Sequence, residues 1–464
     1  MKSDLNFTTY QSPFSWRYGS EKMREIFSEH QRRKTWRKVW VAIAKAQAKE
    51  GLISKEELED IVKNQDNIDI SKSHATEAEI KHDLMAEIKT FASQAKIGGG
   101  KIHLGATSQD IEDNADIMNF QKAINLVEKN LKQILLSFSK KIDKYQNLVC
   151  MAYTHLQPAE PTTLGYRFAL YAQDLLIDLE LLNFVKLQVK GKGTKGAVGT
   201  YASYFALLGE KAISMEEDVM ADLKIEAIEV ASQVYPRKID YLILVLLSSI
   251  AQSLNKFAFD LRILQSQGFG ELMEPFSKNQ VGSSAMPFKR NPIQSEKVCS
   301  LSRYISSFTK VAWENAANSL LERTLDDSAN RRLILPEAFL ATDEILNCAK
   351  AILENLVVND INIQKNLEKY GPFAAVEAVL LEAVKKGADR QQLHEILRQQ
   401  AMAAYDAINK NNTNPLYENI KNDAAILKYL NESNLEKCFD YKKHIGLAPK
   451  LAAQISQKVK RVVG

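Results

Sequence analysis

The stretch 117–138, IMNFQKAINLVEKNLKQILLSF, decides the fold class. Its apolar residues Ile117, Phe120, Ile124, Val127, Leu131, Ile134 and Phe138 recur in alternating steps of three and four. That spacing places them on one stripe of a helix, as in the seam of a bundle whose helices cross at a shallow angle. Outward from this seam, long helical patterns occupy 163–190, 238–267 and 293–323, each preceded by a proline (Pro161, Pro236, Pro292), with Thr162 as N-cap of the first. A further one spans 336–356, with Pro336 placed in its first turn. Shorter helices fit 34–50 and 54–63, and a basic helix over 448–463 ends the chain. Helices of about 25 residues or more point to an extended bundle that assembles with copies of itself. The reading is an all-α chain in three segments: an N-terminal helical domain over 1–106, a central long-helix bundle with the catalytic loops over 107–356, and a C-terminal helical domain over 357–464.

Composition supports this class. The chain has 464 residues, 45% hydrophobic and 25% charged, enough for a large core. With 19 glycines and 11 prolines, a turn-rich all-β fold is disfavoured. A net charge of +4 argues against a dedicated nucleic-acid binder. Cys150, Cys299, Cys348 and Cys438 show no paired spacing and read as reduced thiols of a cytoplasmic protein, not as a zinc site. The opening MKSDLNFTTY has no apolar core of a secretory signal, and the longest apolar run, around 241–254, falls short of a membrane span.

Chemistry is expected where helices break. KIHLGATSQD (101–110) offers Thr107 and Ser108 either as helix caps or as an anion site at a helix N-terminus. AYTHLQPAEP (152–161) reads as an extended, proline-stiffened segment carrying His155, a general-acid candidate. GKGTKGAVGT (191–200) contains G-x-G-x-x-G, but a long helix precedes it, so the dinucleotide reading is rejected in favour of a helix turn whose N–H groups and Lys195 face an anion. QVGSSAMPFKRNP (280–292) is too long and too basic for a plain connector and fits a mobile lid. ERTLDDSANRR (322–332) reads either as a surface ion-pair network or as an arginine site for phosphate or carboxylate.

The segment GSSAMPFKRNP (282–292) resembles the G-S-S-x-M-P-x-K-x-N-P signature of the fumarase/aspartase superfamily. Trp16–Ser20, Lys81-His82-Asp83, Thr154–Pro158 and Glu322–Arg332 are similar to the adenylosuccinate lyase family within it, particularly its vertebrate-like branch. The resemblance runs from about Tyr10 to the final helices. It implies a fumarase-like three-domain fold whose central bundle forms a tetrameric helical core. It further implies active sites shared between subunits, small succinyl-purine nucleotide substrates, release of fumarate, and no metal or organic cofactor. Partners among nucleic acids or membranes are not expected.

The resemblance also implies roles. Ser283 corresponds to the catalytic base, aided by Lys289, and His155 to the general acid, oriented by Glu296. Asn291 and Lys289 correspond to succinyl-carboxylate contacts. Arg17, Tyr18, Arg323, Ser328 and Arg332 fall on the phosphate-binding positions, and Lys81, His82 and Asp83 lie near substrate, with His82 able to assist in proton transfer. Thr107, Ser108, Thr154, Lys195 and Gln233 complete the expected shell. Lys297 stands where that branch has Arg, and a Lys cannot make the bidentate contact. Two other readings remain at this level: another fumarate-releasing lyase, such as an argininosuccinate lyase, and a catalytically silent structural homologue.

Overall fold

A computed structural model of the chain describes residues 8–410 and 412–463. The seam lies on a helix, Ser108–Tyr145, about 57 Å long at 1.5 Å per residue. All seven seam residues are at most 4% exposed, so the stripe identified by its spacing is the stripe that packs. The other long helices are Leu164–Gln188, Lys238–Gln265, Ile293–Ala317 and Asp326–Asn355. The apolar run 241–254 lies in Lys238–Gln265, a helix long and apolar enough to cross a membrane by composition alone. Here Ile243, Leu244, Leu246, Leu247 and Ile250 are fully buried in protein core.

Contacts divide the chain into two units, and each long helix outlasts any one set of neighbours. One unit comprises residues up to Leu131, 178–252 and 300–347; the other comprises 132–177, 253–299 and 348–464. This cuts across the three consecutive segments expected from the sequence. In the first unit, Trp36, Trp40 and Ile43 of Glu29–Lys49 are buried, and Phe339 stacks on Phe27 and Phe120 at 5.4 and 6.1 Å between centroids. Ser54 caps Lys55–Asn64 in a reciprocal box with Glu57, satisfying orphan donors at that helix start. In the second unit, Phe138 meets Phe257 edge-on at 5.2 Å. Its C-terminal part has a core of its own, which includes Leu397, Leu416, Ile426 and Leu435.

Two expectations need correction. Pro336 lies inside Asp326–Asn355, ten residues after its start. Asp326 and Asp327 open the helix earlier, where acidic side chains favour a helix N-terminus. Packing then holds the helix through the proline even though the ring removes one N–H donor. The segment before Leu164–Gln188 is not simply extended. Val149–Thr154 and Gln157–Thr163 form an antiparallel hairpin with a register shift between Met151 and Tyr153. A second small sheet pairs Leu272–Met273 with Val357–Val358. The all-α description holds with these two additions. The four cysteines are buried and form no disulfide with one another, and burial pushes the Cys150 thiol up to about 11, which keeps it unreactive. Of the polar turn 411–415, Asn411 lies outside the described residues.

Candidate active site

The signature loop closes on itself. A Cβ on Gly282 would stand 2.0 Å from the Lys289 carbonyl oxygen, so only glycine allows this approach. The Asn291 side-chain amide donates to the Gly282 carbonyl at 2.8 Å, so the side chain expected to hold succinyl carboxylates braces the loop. The Met286 N–H donates to Ser283 Oγ at 3.1 Å. A donor aimed at that oxygen stabilises negative charge on it, which a serine acting as base requires. The loop is exposed: Lys289 faces solvent, and Val281 and Phe288 are 74% and 81% exposed, an apolar surface a finished site would cover. Glu296 is exposed in the first turn of Ile293–Ala317, and Lys297 beside it is partly buried.

His155 stands at the tip of the hairpin. Thr154 pairs with Gln157, leaving His155 and Leu156 as a two-residue turn, both at positive φ (53° and 60°). Such turns normally use Asn and Gly. Non-glycine residues there cost roughly 1–2 kcal/mol each, and strain of this kind concentrates at functional sites. Thr154, His155 and Leu156 are exposed, and His155 edges a cavity of about 450 Å³ with Tyr153, Arg167 and Phe269. Among the described residues no hydrogen bond joins His155 to Ser283 or to Glu296.

The phosphate-directed residues lie in the other unit. Arg323, Ser328 and Arg332 line one cavity of about 190 Å³ with Arg32, Arg331 and Glu112. Arg332 donates to Asp83 Oδ2 at 2.6 Å and Arg32 to the same oxygen at 3.2 Å. Burial would raise the Asp83 carboxyl, but Arg332 and Arg32 outweigh it and hold it below its usual range. The sequence cluster is thus a partly buried ion-pair network, with Arg332 half exposed. Arg323 pairs with Asp327 at 2.8 Å, and Arg331 with Asp240 at 2.6 Å. Gln233 joins this region through its N–H, which donates to the Glu322 carbonyl at 3.2 Å. His82 caps Asp83–Gln94, its Nδ1 accepting the Met85 N–H at 3.4 Å, and Lys81 before it is exposed at φ 58°. Arg17 is exposed, its guanidinium 5.8 Å from the Trp16 and Tyr18 ring centroids. The turn after it is tied to Asp326–Asn355 by the Gly19 and Ser20 N–H groups, which donate to Glu344 and Asp343.

The glycine loop does face an anion, but the anion belongs to the protein. Asp110 Oδ1 accepts from Lys192 Nζ at 2.6 Å and from the N–H groups of Lys195 and Gly196, each at 3.2 Å. Its Oδ2 accepts the Thr107 N–H at 3.0 Å. Lys195 Nζ pairs with Glu216 and bonds Tyr201. Asp110 therefore ties the Thr107-Ser108 turn to the glycine loop. Sequence reading passed over Asp110, although its place in the first turn of a helix beside a lysine- and glycine-rich loop was a usable signal.

Residues 17–306 match a family model described as Lyase, and residues 372–455 match one described as Adenylosuccinate lyase C-terminus. An adenylosuccinate lyase of Schistosoma mansoni is 39% identical over 425 residues, 90% of this chain and 88% of that protein. That of Saccharomyces cerevisiae is 36% identical, covering 98% and 95% of the two chains. That of Archaeoglobus fulgidus is 34% identical, covering 97% and 99%. Among solved structures, a 3-carboxy-cis,cis-muconate lactonizing enzyme from Pseudomonas putida superposes with a TM-score of 0.88 at 23% identity, over 98% of this chain and 100% of that one. A fumarate lyase from Mesorhizobium sp. BNC1 does so with 0.84 at 21%, over 97% and 99%. These two carry the fumarase-like fold.

Proposed function

The chain belongs to the adenylosuccinate lyase family of the fumarase/aspartase superfamily, and on that premise we propose that it eliminates fumarate from adenylosuccinate, giving AMP, and from the succinyl-aminoimidazole-carboxamide ribotide of purine synthesis. In this β-elimination a base takes the proton next to a succinyl carboxylate while an acid protonates the departing nitrogen. Ser283 is the base. The observation that carries this is the closed signature loop, in which the Met286 N–H already points at Ser283 Oγ. As the oxygen gains negative charge, that donor and the Lys289 ammonium in the same loop stabilise it. His155 is the acid, presented on a strained turn free of other duties, with Glu296 orienting it and His82 assisting. Such acid–base partners contribute about 10²–10⁴-fold each.

Arg323, Ser328 and Arg332 hold the nucleotide phosphate, joined by Arg17 and Tyr18. Their sharing of one cavity supports this assignment, since a lyase for substrates without phosphate has no use for it. Phosphate must displace Asp83 from Arg332. Lys81, Asp83, Thr107, Ser108, Thr154, Lys195, Gln233, Asn291 and Lys297 complete the substrate shell. The enzyme is a homotetramer, acting in the cytoplasm, whose sites are shared between subunits. Supporting this, Leu170, Ile177, Phe184 and Leu187 form a stripe along Leu164–Gln188, 49–69% exposed in the single chain and spaced by seven, seven and three. A heptad stripe left bare on a core helix fits a second copy of that helix.

The deciding experiment is to incubate purified protein with adenylosuccinate and follow AMP and fumarate. Conversion is expected, with Ser283→Ala and His155→Ala each lowering kcat at least about 100-fold. An active protein that ignores adenylosuccinate yet splits argininosuccinate would overturn the substrate, and a fully active monomer by light scattering would overturn the shared site.

A further inference from the structure

Neither catalytic loop is held by its own contacts alone. Tyr153, two residues before His155, donates its hydroxyl to Glu271 Oε1 at 2.7 Å. The same carboxylate accepts from Arg167 Nη1 at 3.1 Å and from Asn366 Nδ2 at 2.9 Å. Arg167 Nη2 also donates to the Met151 carbonyl at 2.5 Å, where the hairpin register shifts. The Tyr153 ring stands edge-on to Phe269 at 4.8 Å. Glu271 is fully buried, and a buried carboxylate is costly unless paired and hydrogen-bonded. Here one cation and two neutral donors satisfy it. Burial and the Glu271 charge push the Tyr153 phenol well above its usual range, so it remains a donor at any working pH.

Three residues along, Glu274 serves the other loop. It is buried, and its carboxylate accepts the N–H groups of Gln294, at 3.1 Å, and Ser295, the first turn of the helix that leaves the signature. Its own N–H donates to Gln265 Oε1 at 2.9 Å, and Gln265 Nε2 donates to the Arg290 carbonyl inside the signature at 2.9 Å. Between the two glutamates, Leu272 and Met273 pair with Val358 and Val357, so the segment cannot slide.

We infer that the segment Glu271–Glu274 is a positioning strap, Glu271 fixing the hairpin that presents His155 and Glu274 fixing the end of the loop that presents Ser283. This rests on reading those two residues as acid and base. Loss of one tie lets a reacting group drift by a fraction of an ångström to an ångström, which lowers kcat about 10- to 100-fold while substrate binding changes little.

The test uses the full-length protein and the variants Glu271→Gln, Tyr153→Phe and Glu274→Gln, with Asp143→Asn as comparator. The last removes the charge and one acceptor oxygen from a carboxylate elsewhere in the unit that receives Ser456 and Lys460. Histidine-labelled protein gives ring resonances, that of His155 being assigned by its loss in His155→Gln. Glu271→Gln and Tyr153→Phe should shift the His155 resonance and lower kcat about 10- to 100-fold with KM changed less than about threefold. Glu274→Gln should lower kcat similarly and leave the His155 resonance in place. Tyr153→Phe removes one hydroxyl only, so it remains informative if Glu271→Gln fails to fold. The strap is overturned if folded Tyr153→Phe keeps both its kcat and its His155 resonance, or if these variants lose no more activity than Asp143→Asn. If the resonance shifts but wild-type protein ignores adenylosuccinate, the strap stands as a structural fact and the catalytic reading falls instead.

Discussion

Glu112 lines the cavity assigned to phosphate, and its titration reports on the site. Burial foremost, then the neighbouring Asp83 and Asp116 charges, raise it from 4.5 to about 7, while Arg32 and Arg332 pull only partly the other way. A carboxyl raised on folding favours the native state below its unfolded value, and that contribution is lost as pH rises through the folded value. The window is therefore pH 4.5 to 7. By linkage the penalty at pH 8 is about 3 kcal/mol, and at pH 5 it is under about 1 kcal/mol. Glu112→Gln keeps the shape and an acceptor for the Gln109 amide, which donates to Glu112 Oε2 at 2.6 Å. It should raise the thermal midpoint over wild type more at pH 8 than at pH 5, by the equivalent of about 2 kcal/mol. A chain of this size has no single two-state free energy, so the readout is the midpoint difference at fixed protein concentration. The same variant should lower KM for adenylosuccinate at pH 8, since a like charge beside the phosphate is gone. Equal midpoint gains at both pH values, or a loss at pH 8, would refute the argument.

Other substitutions probe separate contacts. Gly282→Ala forces the Lys289 carbonyl aside and should lower kcat about 100-fold, while the melting midpoint, set away from this exposed loop, barely moves. Asp110→Asn strips the charge partner from fully buried Lys192 and should destabilise by about 3–5 kcal/mol, read as a lowered unfolding midpoint. Ile177→Glu puts a charge on the bare stripe and should yield smaller species by light scattering, with activity lost in step.

Where side-chain spacing decides the structure, the sequence was readable. The seven seam residues from Ile117 to Phe138 are all buried, and the final helix runs Ala448–Val463, with Pro449 in its first turn and Lys460 and Arg461 in its last. Reading failed where distant contacts overrule local preference. Pro336 is a good first-turn residue, yet Arg331, five positions earlier, is already helical and locked to Asp240, so the helix was in place before the proline. His155-Leu156 has none of the Asn or Gly chemistry of a two-residue turn, and Pro158 and Pro161 weaken the strand after it. The turn residues do not explain that hairpin; Glu271, more than a hundred residues further along, does, by holding Tyr153 of its first strand and Arg167 of the helix that follows it. The glutamates at 271 and 274 were invisible for the same reason, because a lone carboxylate in sequence carries no sign of which donors will find it. A hairpin that its own residues would not choose persists only when surrounding bonds over-determine it, and natural sequences retain such conflicts chiefly where function requires them. By that argument the strained turn at His155 is a stronger pointer to chemistry than the proline-stiffened sequence around it.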